Sequence, residues 1–387
     1  MRLTATLALA FCLLAPASAQ SISSSLSATG AKRWFKGNTH AHARIWLPLP
    51  HGDSSPKRMA RWYKEHGYNF LCLSDHNRIG REERAQKLVS PDFVFLPGSE
   101  ITADTRMRLI YKHKHEHAPE RIVHSTALNV DPETWDTKLG NSFTPQDSVA
   151  DILRAHREAT ERAGGIAIAN HPNFKGQISA QDLIDAGSGF FEVYNAYPHA
   201  KNFGSGARPS TEAMWDEVLS SGRLLYGVAS DDAHHTKRWN AWLKDELGIR
   251  APAGGGWIMV RAAELTPAAI TAAMRDGDFY ASSGVHLERL AWDPQQGLTI
   301  SVDLDATRAE VANAYVRAPA RDVATADGIT LEFVTQGGQV AHTVNGPSGT
   351  APLSQLDRYV RGRVTYVADG KAFYAWTQPV FLTSTTK

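Results

Sequence analysis

The sequence GNTHAHAR at residues 37–44 places two histidines two positions apart in a segment with the pattern of a strand. Because side chains alternate along a strand, His40 and His42 are expected on the same face. Two imidazoles on one face can hold a metal ion if other ligands come from elsewhere in the fold. The chain has 16 histidines, so the pair alone is a weak signal, and a polar strand edge is the other interpretation.

Residues of the metal-ligand type recur after later apolar runs. The runs that end near residues 75, 97, 170 and 230 are followed by His76, Glu100, His171, Asp232 and His234. Any one of these could be a helix cap or a turn residue. In an α/β barrel, however, the C-terminal ends of all strands lie on one rim, where the loops build active sites. The set therefore predicts a metal site on that rim.

Strand and helix signals alternate over the first two thirds of the chain, which is typical of an α/β barrel or a doubly wound sheet. Strands are predicted at 34–42, 69–75, 93–97, 122–130 (which contains His124), 165–170, 190–195 (which contains Glu192) and 224–230. Helices are predicted after Ser55-Pro56, over about 145–162 and over about 210–220.

Residues 1–19 have the pattern of a signal peptide. Arg2 supplies the positive charge, residues 4–14 the apolar segment, and the sequence ASA at 17–19 the cleavage site. The mature chain is therefore expected to be periplasmic or secreted. Cys72 is the only cysteine after cleavage, which excludes an intramolecular disulfide. The 41 basic and 40 acidic residues balance, so no overall charge points to nucleic acid or to a membrane as partner.

The last hundred residues have a different pattern. Short alternating runs separated by turn residues begin near residue 287 and predict a small all-β, sandwich-like domain. We therefore expect a linker over 20–32, a catalytic α/β domain over 33–285 and a C-terminal β domain over 286–387. No catalytic group of residues is evident in the C-terminal part.

The strand-end motifs form an ordered set: HAH (40–42), SDHN (74–77), PGSE (97–100), His124, NHP (170–172) and DDAH (231–234). This set resembles the PHP (polymerase and histidinol phosphatase) metal-dependent hydrolases, and within them it is most similar to the exported CehA/McbA metallohydrolases. The resemblance covers about residues 33–285. It implies a distorted (β/α)7 barrel that carries two or three divalent metal ions, Zn, Mn or Fe, at the C-terminal ends of its strands.

The resemblance also implies a ligand set. The first ion would be held by His40, His42, Glu100 and Asp232, the second by Glu100, His124 and His171, and the third by His51, His76 and His234. Asp231 is the alternative to Asp232, which is preferred because the spacing Asp-x-His keeps it on the face of His234 if the strand continues. We expect Asp75 and Asn170 to orient imidazoles or backbone rather than to bind metal.

The charge of such a centre favours an anionic substrate. With seven neutral histidines, two carboxylates, three divalent ions and one bridging hydroxide, the net charge of the centre is roughly +3. The sequence therefore predicts a metal-dependent hydrolase of ester bonds, a phosphomonoesterase or phosphodiesterase, in which a hydroxide bridging the ions attacks a small phosphate ester. Glu100 and Asp232 would take part as ligands. Arg44, Arg78 and Lys175 follow ligand motifs and are candidates for binding phosphate, with a solvated surface role as the other interpretation.

Two other functions remain open at this point. A carboxylic ester or carbamate hydrolase could use the same hydroxide on a carbonyl carbon. A non-catalytic metal-binding protein is the third candidate, but nine ligands leave three ions with open coordination positions, which favours an enzyme. The alternating histidines at 113, 115 and 117 are interpreted as a polar strand or loop face.

Overall fold

The computed structural model describes residues 31–46, 50–80, 85–104, 122–144, 146–236, 251–317 and 319–382. For Ile45–Trp46 and Pro50–His51 the backbone alone is described. The predicted signal peptide and the histidines at 113, 115 and 117 lie outside the described residues. None of the described helices is both long and apolar enough to span a membrane.

The described residues form a mixed α/β fold. The strands up to residue 230 are β1 (Arg33–Ala41), β2 (Ile45–Trp46), β3 (Pro50–His51), β4 (Phe70–Leu73), β5 (Val94–Phe95), β6 (Gly98–Asp104), β7 (Ile122–Leu128), β8 (Ile166–Ala169), β9 (Phe190–Asn195) and β10 (Tyr226–Ser230). The later strands are β11 (Trp257–Ala262), β12 (Phe279–Ser282), β13 (Leu287–Asp293), β14 (Gly297–Val302), β15 (Arg321–Asp322), β16 (Gly328–Thr335), β17 (Gln339–Asn345), β18 (Ser348–Ala351), β19 (Tyr359–Ala368), β20 (Lys371–Thr377) and β21 (Val380–Phe381).

The helices begin where the sequence supplies capping residues. They are α1 (Pro56–Glu65), α2 (Val149–Arg162), α3 (Ala180–Ala186), α4 (Thr211–Ser220), α5 (Pro267–Arg275), α6 (Leu304–Val311) and α7 (Ala314–Arg317). The side chain of Ser55 accepts a hydrogen bond from the Arg58 N–H, and Pro56 occupies the first turn of α1, as predicted. Ser148 and Ser210 cap α2 and α4 in the same way.

Two sheets carry the predicted site. The first has the strand order β17-β16-β19-β20-β12-β11-β1-β4-β5, with β15 beside β20 and β21 beside β19. The second has the order β10-β9-β8-β7-β6. Helices α2, α3 and α4 cover one face of the second sheet, where Ile152, Leu183 and Trp215 are buried with Ile168 and Phe191. This apolar layer fixes the strands from which the predicted ligands project.

The predicted (β/α)7 barrel is not closed among the described residues. The two sheets meet through isolated bridges, Ala41 with Ala233 and His76 with Glu100, rather than through continuous strand ladders. At each junction one partner, Ala233 or His76, lies beyond the end of its strand. Only one residue pairs at each junction because the segments after β4 and β10 are no longer in strand conformation. These two segments carry predicted ligands.

The tail of the chain extends the first sheet. β20 pairs antiparallel with β12, so that Ala281 lies opposite Trp376, and β19, β16 and β17 continue from it. β13, β14 and β18 form a separate sheet. The tail also contains α6 and α7, so it is not the all-β segment predicted from the sequence. Residues 304–311 (LDATRAEV) are rich in good helix formers, and Asp303 caps the helix that they form.

Candidate metal centre

Seven of the predicted ligands converge where the two sheets meet. Among the described side chains, ligand atoms lie within 4.8 Å of one another in three groups: His40 with His42 and Asp232, His40 with Glu100 and His171, and His42 with His76 and His234. The groups share His40 and His42, so they form one cluster, which we call the metal cluster. The strand motif HAH therefore lies at its centre.

Glu100 connects most of the metal cluster. Its Oε1 lies 3.3 Å from His40 Nε2, 3.3 Å from His171 Nε2 and 3.0 Å from His124 Nδ1. Its Oε2 lies 2.7 Å from His76 Nδ1. The carboxylate is 1% exposed, and it is the third residue of β6 rather than a residue that follows a strand. Both oxygens are thus surrounded by ring nitrogens.

The structure separates the two adjacent aspartates. Asp232 Oδ1 lies 3.1 Å from His42 Nε2 and 3.4 Å from His40 Nε2. Asp231 turns the other way, where its carboxylate accepts hydrogen bonds from Tyr63 Oη and from the Gly254 and Gly256 N–H groups. Burial raises the pKa of Asp231 to about 6, although these hydrogen bonds oppose the shift. Of the two, Asp232 is the one placed to bind a cation.

His124 reaches the metal cluster because β7 runs in the opposite direction to its neighbours. β7 pairs antiparallel with both β6 and β8. The early part of β7 therefore lies at the edge where β8 ends, and the Asn170 N–H donates to the His124 carbonyl (3.0 Å). This geometry explains why His124 occurs near the beginning of its strand, whereas His76, His171 and His234 lie after the ends of theirs.

Glu192 contacts the metal cluster, although the sequence predicts only that it lies in a strand. It is 1% exposed, and its Oε1 lies 2.8 Å from His40 Nδ1 and also accepts a hydrogen bond from Ser230 Oγ. Its Oε2 accepts from the His171 N–H (2.6 Å) and from Asn195 Nδ2 (2.7 Å). An acidic residue in the otherwise apolar strand FFEVYN was the signal available in the sequence.

Two predicted ligands have left-handed backbone conformations. His171 has φ 27° and Asp232 has φ 50°, in a region that costs non-glycine residues about 1–3 kcal/mol. Hydrogen bonds hold both: the His171 N–H donates to Glu192, and the Asp232 N–H donates to the His40 carbonyl at 2.9 Å. Strain maintained in this way is typical of functional sites.

The metal cluster favours positive charge. Burial lowers the pKa of His40, but the carboxylates of Asp232, Glu100 and Glu192 raise it by more, so that it lies well above its usual range. Burial raises the pKa of Glu100, but His124, His76 and His40 bring it well below its usual range. These carboxylates attract any cation, a proton or a metal ion alike.

The donor set fits divalent cations. When His40 Nδ1–H donates to Glu192, its Nε2 presents a lone pair, 3.1 Å from the Nε2 of His42. Neither ring nitrogen of the buried His124 finds a hydrogen bond of suitable geometry among the described residues. Imidazole with carboxylate is the ligand combination that binds Zn, Mn and Fe in proteins. Two neighbouring residues hold parts of this ligand set in position. Asn170 Nδ2 donates a hydrogen bond to Glu100 Oε1 (3.0 Å), and Asp75 accepts one from the N–H of Ala43 (2.9 Å).

The other predicted site residues lie around this centre. The backbone of His51 forms β3, and the Asp53 N–H donates to the His234 carbonyl (3.0 Å), so this segment runs beside His234. Arg44 donates from Nη2 to the Asp53 carbonyl (2.9 Å), which directs its guanidinium to the same loop. Arg78 and Lys175 are exposed. The role of these three cations in binding phosphate stays a prediction.

Aromatic side chains border the metal cluster. The Phe174 ring lies 5.2 Å from the ring of His171 and 6.1 Å from that of Tyr197, measured between centroids. The Tyr197 ring lies 6.0 Å from that of His234. Both are partly exposed. They give the site an apolar border on the side of β8 and β9.

Comparison with solved structures finds distant likenesses. No family model matches the sequence, and no curated protein matches it. A two-domain protein from Bacteroides vulgatus, described as containing a predicted PHP-like metal-dependent phosphoesterase, is 15% identical, with a TM-score of 0.40 over 90% of this chain and 95% of that one.

Two further solved structures match over about half of the chain. A candidate metal-dependent phosphoesterase from Bifidobacterium adolescentis is 15% identical, with a TM-score of 0.34 over 51% of this chain and 87% of that one. An amidohydrolase from Chromobacterium violaceum with bound sulfate and no metal is 14% identical, with a TM-score of 0.33 over 56% of this chain and 98% of that one. Likenesses this distant do not assign a function to the chain.

Proposed function

We propose that this protein is a metal-dependent phosphoesterase that acts on a small anionic ester. The observation that carries the proposal is the convergence of imidazoles on the buried Glu100, together with Asp232 and the HAH pair. Among the described residues, the ion-pair partners of Glu100 and Asp232 are imidazoles, which when neutral leave the balancing positive charge to come from elsewhere. Divalent metal ions would supply that charge.

The proposed roles follow from these contacts. His40, His42, Asp232 and Glu100 would hold one ion, and Glu100 would be shared with a second held by His124 and His171. When bound, the ions would activate water and neutralise charge on the phosphoryl oxygens. The chain itself would fix the geometry: Glu192 orients His40, and Asn170 orients Glu100. A third ion held by His76, His234 and His51 is part of the proposal.

The charge of the site supports a phosphate ester over a neutral ester. Glu192 touches His40 and the backbone of His171, and including it lowers the formal charge of a three-ion site from roughly +3 to roughly +2. A positive, buried site still interacts more favourably with an anion than with a neutral carbonyl group. Phe174 and Tyr197 at the border would contact an apolar leaving group.

The finer assignments are part of the same proposal. They are a PHP-type barrel related to the CehA/McbA metallohydrolases, a catalytic domain over 33–285 with a C-terminal domain over 286–387, and a periplasmic or secreted location. The ordered motifs and the N-terminal sequence support them.

Hydrolysis of three 1-naphthyl compounds that share one leaving group tests the proposal. We expect a higher kcat/KM for 1-naphthyl phosphate than for 1-naphthyl acetate or a 1-naphthyl carbamate, and competitive inhibition by inorganic phosphate. Dialysis against a chelator should abolish hydrolysis, and Mn²⁺, Zn²⁺ or Fe²⁺ should restore it. An enzyme that prefers the acetate or the carbamate and ignores phosphate would instead be a carboxylic ester or carbamate hydrolase. Full activity without metal would contradict both functions.

A further inference from the structure

A cavity of about 710 Å³ lies between the β9–α4 segment and strands β16, β19 and β20 of the tail. Sites for small molecules have volumes of about 300–1,000 Å³. Val193 and Tyr194 of β9 line the cavity, whereas the neighbouring Glu192 contacts His40 in the metal cluster. Among the described residues, the lining includes none of the predicted metal ligands. The cavity is therefore a second candidate site, separate from the metal cluster.

One wall of the cavity is aromatic. The Trp376 ring stacks with Tyr194 (5.6 Å between centroids) and with Tyr374 (5.4 Å), and Tyr374 contacts Phe203 (5.6 Å). Phe203 is 37% exposed, which is unusual for so large an apolar side chain. The guanidinium of Arg321 lies over its ring at 4.6 Å. This wall offers a rigid apolar surface with a cation at its edge.

Polar groups lie beside the aromatic side chains on the same face of the sheet, because Arg363 pairs with Trp376 across β19 and β20, and Glu332 pairs with Arg363 across β16 and β19. Arg363 donates from Nε to Glu332 Oε2 (2.8 Å) and from Nη1 to Glu212 Oε2 (3.2 Å). These three side chains are partly buried and hold one another in place. They present both donors and acceptors to the cavity in a defined arrangement.

The charges around the cavity do not favour an anion. Among the described residues, the lining carries two positive charges, Arg321 and Arg363, and three negative ones, Glu212, Glu332 and Asp327. A phosphorylated ligand would have to approach the carboxylates that flank Arg363. A neutral ligand with many hydroxyl groups avoids that repulsion and can hydrogen-bond to both the guanidinium and the carboxylates.

We propose that this cavity binds a neutral saccharide of one or two rings. The C–H faces of the sugar would lie against the aromatic wall near Phe203, and its hydroxyl groups would hydrogen-bond to Arg363, Glu212 and Glu332. Arg321 would close the mouth over the ligand. This inference goes beyond the proposed phosphoesterase activity and does not depend on it.

Binding of maltose, cellobiose and N,N′-diacetylchitobiose to the metal-loaded full chain tests the proposal. The measurements are saturation-transfer NMR and calorimetry on the wild type, Phe203→Ala, Arg321→Ala and the control Arg308→Ala. Arg321 is exposed, so its replacement should leave the fold intact, which the thermal midpoint verifies. Arg308 is an exposed arginine of α6 outside the cavity.

We expect at least one of the three disaccharides to bind the wild type and Arg308→Ala equally. Its affinity should fall by about tenfold in Phe203→Ala and in Arg321→Ala. Hydrolysis of 1-naphthyl phosphate should be unchanged in Arg321→Ala, which separates this site from the metal cluster. Absence of binding by all three disaccharides, or equal binding in both cavity variants, would overturn the proposal. Tighter binding of glucose 6-phosphate than of glucose would overturn the assignment to a neutral ligand.

Discussion

Buried carboxylates occur in two regions of this molecule, the metal cluster and the contact between α4 and the tail strand β19, and their partners differ. At the contact, Arg361 is 1% exposed and pairs with both oxygens of Asp216, at 2.9 Å from Nε and 2.6 Å from Nη2. Its Nη1 donates to Glu212 (3.2 Å), and Tyr359 Oη donates to Asp216 (2.9 Å). Because arginine keeps its charge, this network is complete without an added ion.

In the metal cluster, the carboxylates of Glu100, Asp232 and Glu192 face imidazoles instead. An imidazole can give up its proton and offer a lone pair to a metal ion, which a guanidinium cannot do. Burial of acidic side chains is therefore not by itself a sign of function. The side chains that neutralise them decide whether the region is structural or can bind cations.

The largest effect is expected when the shared carboxylate of the metal cluster is removed. Glu100→Gln keeps the size of the side chain but removes the charge that two ions would share. We expect kcat/KM for 1-naphthyl phosphate to fall by at least about 10³-fold, equivalent to about 4 kcal/mol of transition-state stabilisation. Metal content measured by mass spectrometry should fall as well. A variant with full metal content and near wild-type activity would remove Glu100 from the centre.

The matching change at the α4–β19 contact should affect stability rather than metal. Arg361→Met leaves Asp216 buried without its cation, so we expect the free energy of unfolding to fall by about 3–5 kcal/mol. The folded variant should keep its full metal content at neutral pH. Chemical denaturation and metal analysis measure both, with the exposed Arg308→Ala as control. Loss of metal in folded Arg361→Met would contradict the assignment of the α4–β19 contact to stability alone.

A smaller effect is expected from the carboxylate that orients His40. Glu192→Gln keeps the shape but weakens the hold on the His40 ring and on the His171 N–H. We expect metal affinity to fall by about 10–100-fold. Competition with a chromophoric chelator measures the affinity. Unchanged affinity in Glu192→Gln would mean that the contact with His40 is only structural.

The smallest effect concerns Glu310, a carboxylate that is paired with both a lysine and an imidazole. Glu310 accepts hydrogen bonds from Lys36 Nζ (2.8 Å) and His286 Nε2 (2.9 Å). Burial raises the pKa of Glu310, but His286 and Lys36 lower it by more, to about 2. The stabilisation is therefore present above the unfolded pKa of about 4.3 and is lost as the pH falls towards 2.

Comparison of the wild type with Glu310→Gln measures this contribution. We expect the difference in their free energies of unfolding to shrink by on the order of 1 kcal/mol between pH 5 and pH 2.5. Acid effects on the metal cluster act on both proteins and cancel in the difference. A constant difference over this range would show that ionised Glu310 contributes no stability.

Features that depend only on residues close together in the sequence could be predicted. Strand β9 has the predicted bounds Phe190–Asn195, and α1 begins at the predicted Pro56. The spacing of His40 and His42 in a strand places both rings in the metal cluster, because side-chain alternation is a local property. Local signals were sufficient wherever the neighbouring residues alone determine the geometry.

Features that depend on distant segments could not be predicted. The role of Glu192 requires contacts with His40, His171 and Ser230, which lie in three separate parts of the chain. The failure of the sheets to close depends on how the chain turns after β4 and β10. The contact between Arg361 and Asp216 joins residues 145 positions apart. No local pattern encodes such pairings.

We infer that the imidazole-rich metal cluster, and not the arginine-rich α4–β19 contact, binds divalent ions. Anomalous scattering from crystals grown with Mn²⁺ and phosphate, collected on both sides of the metal absorption edge, tests it most directly. We predict two or three anomalous peaks in the metal cluster, one of them about 2.0–2.3 Å from His40 Nε2, with Glu100 between two of them. An absence of peaks there, or peaks only at other carboxylates of the molecule, would contradict the account.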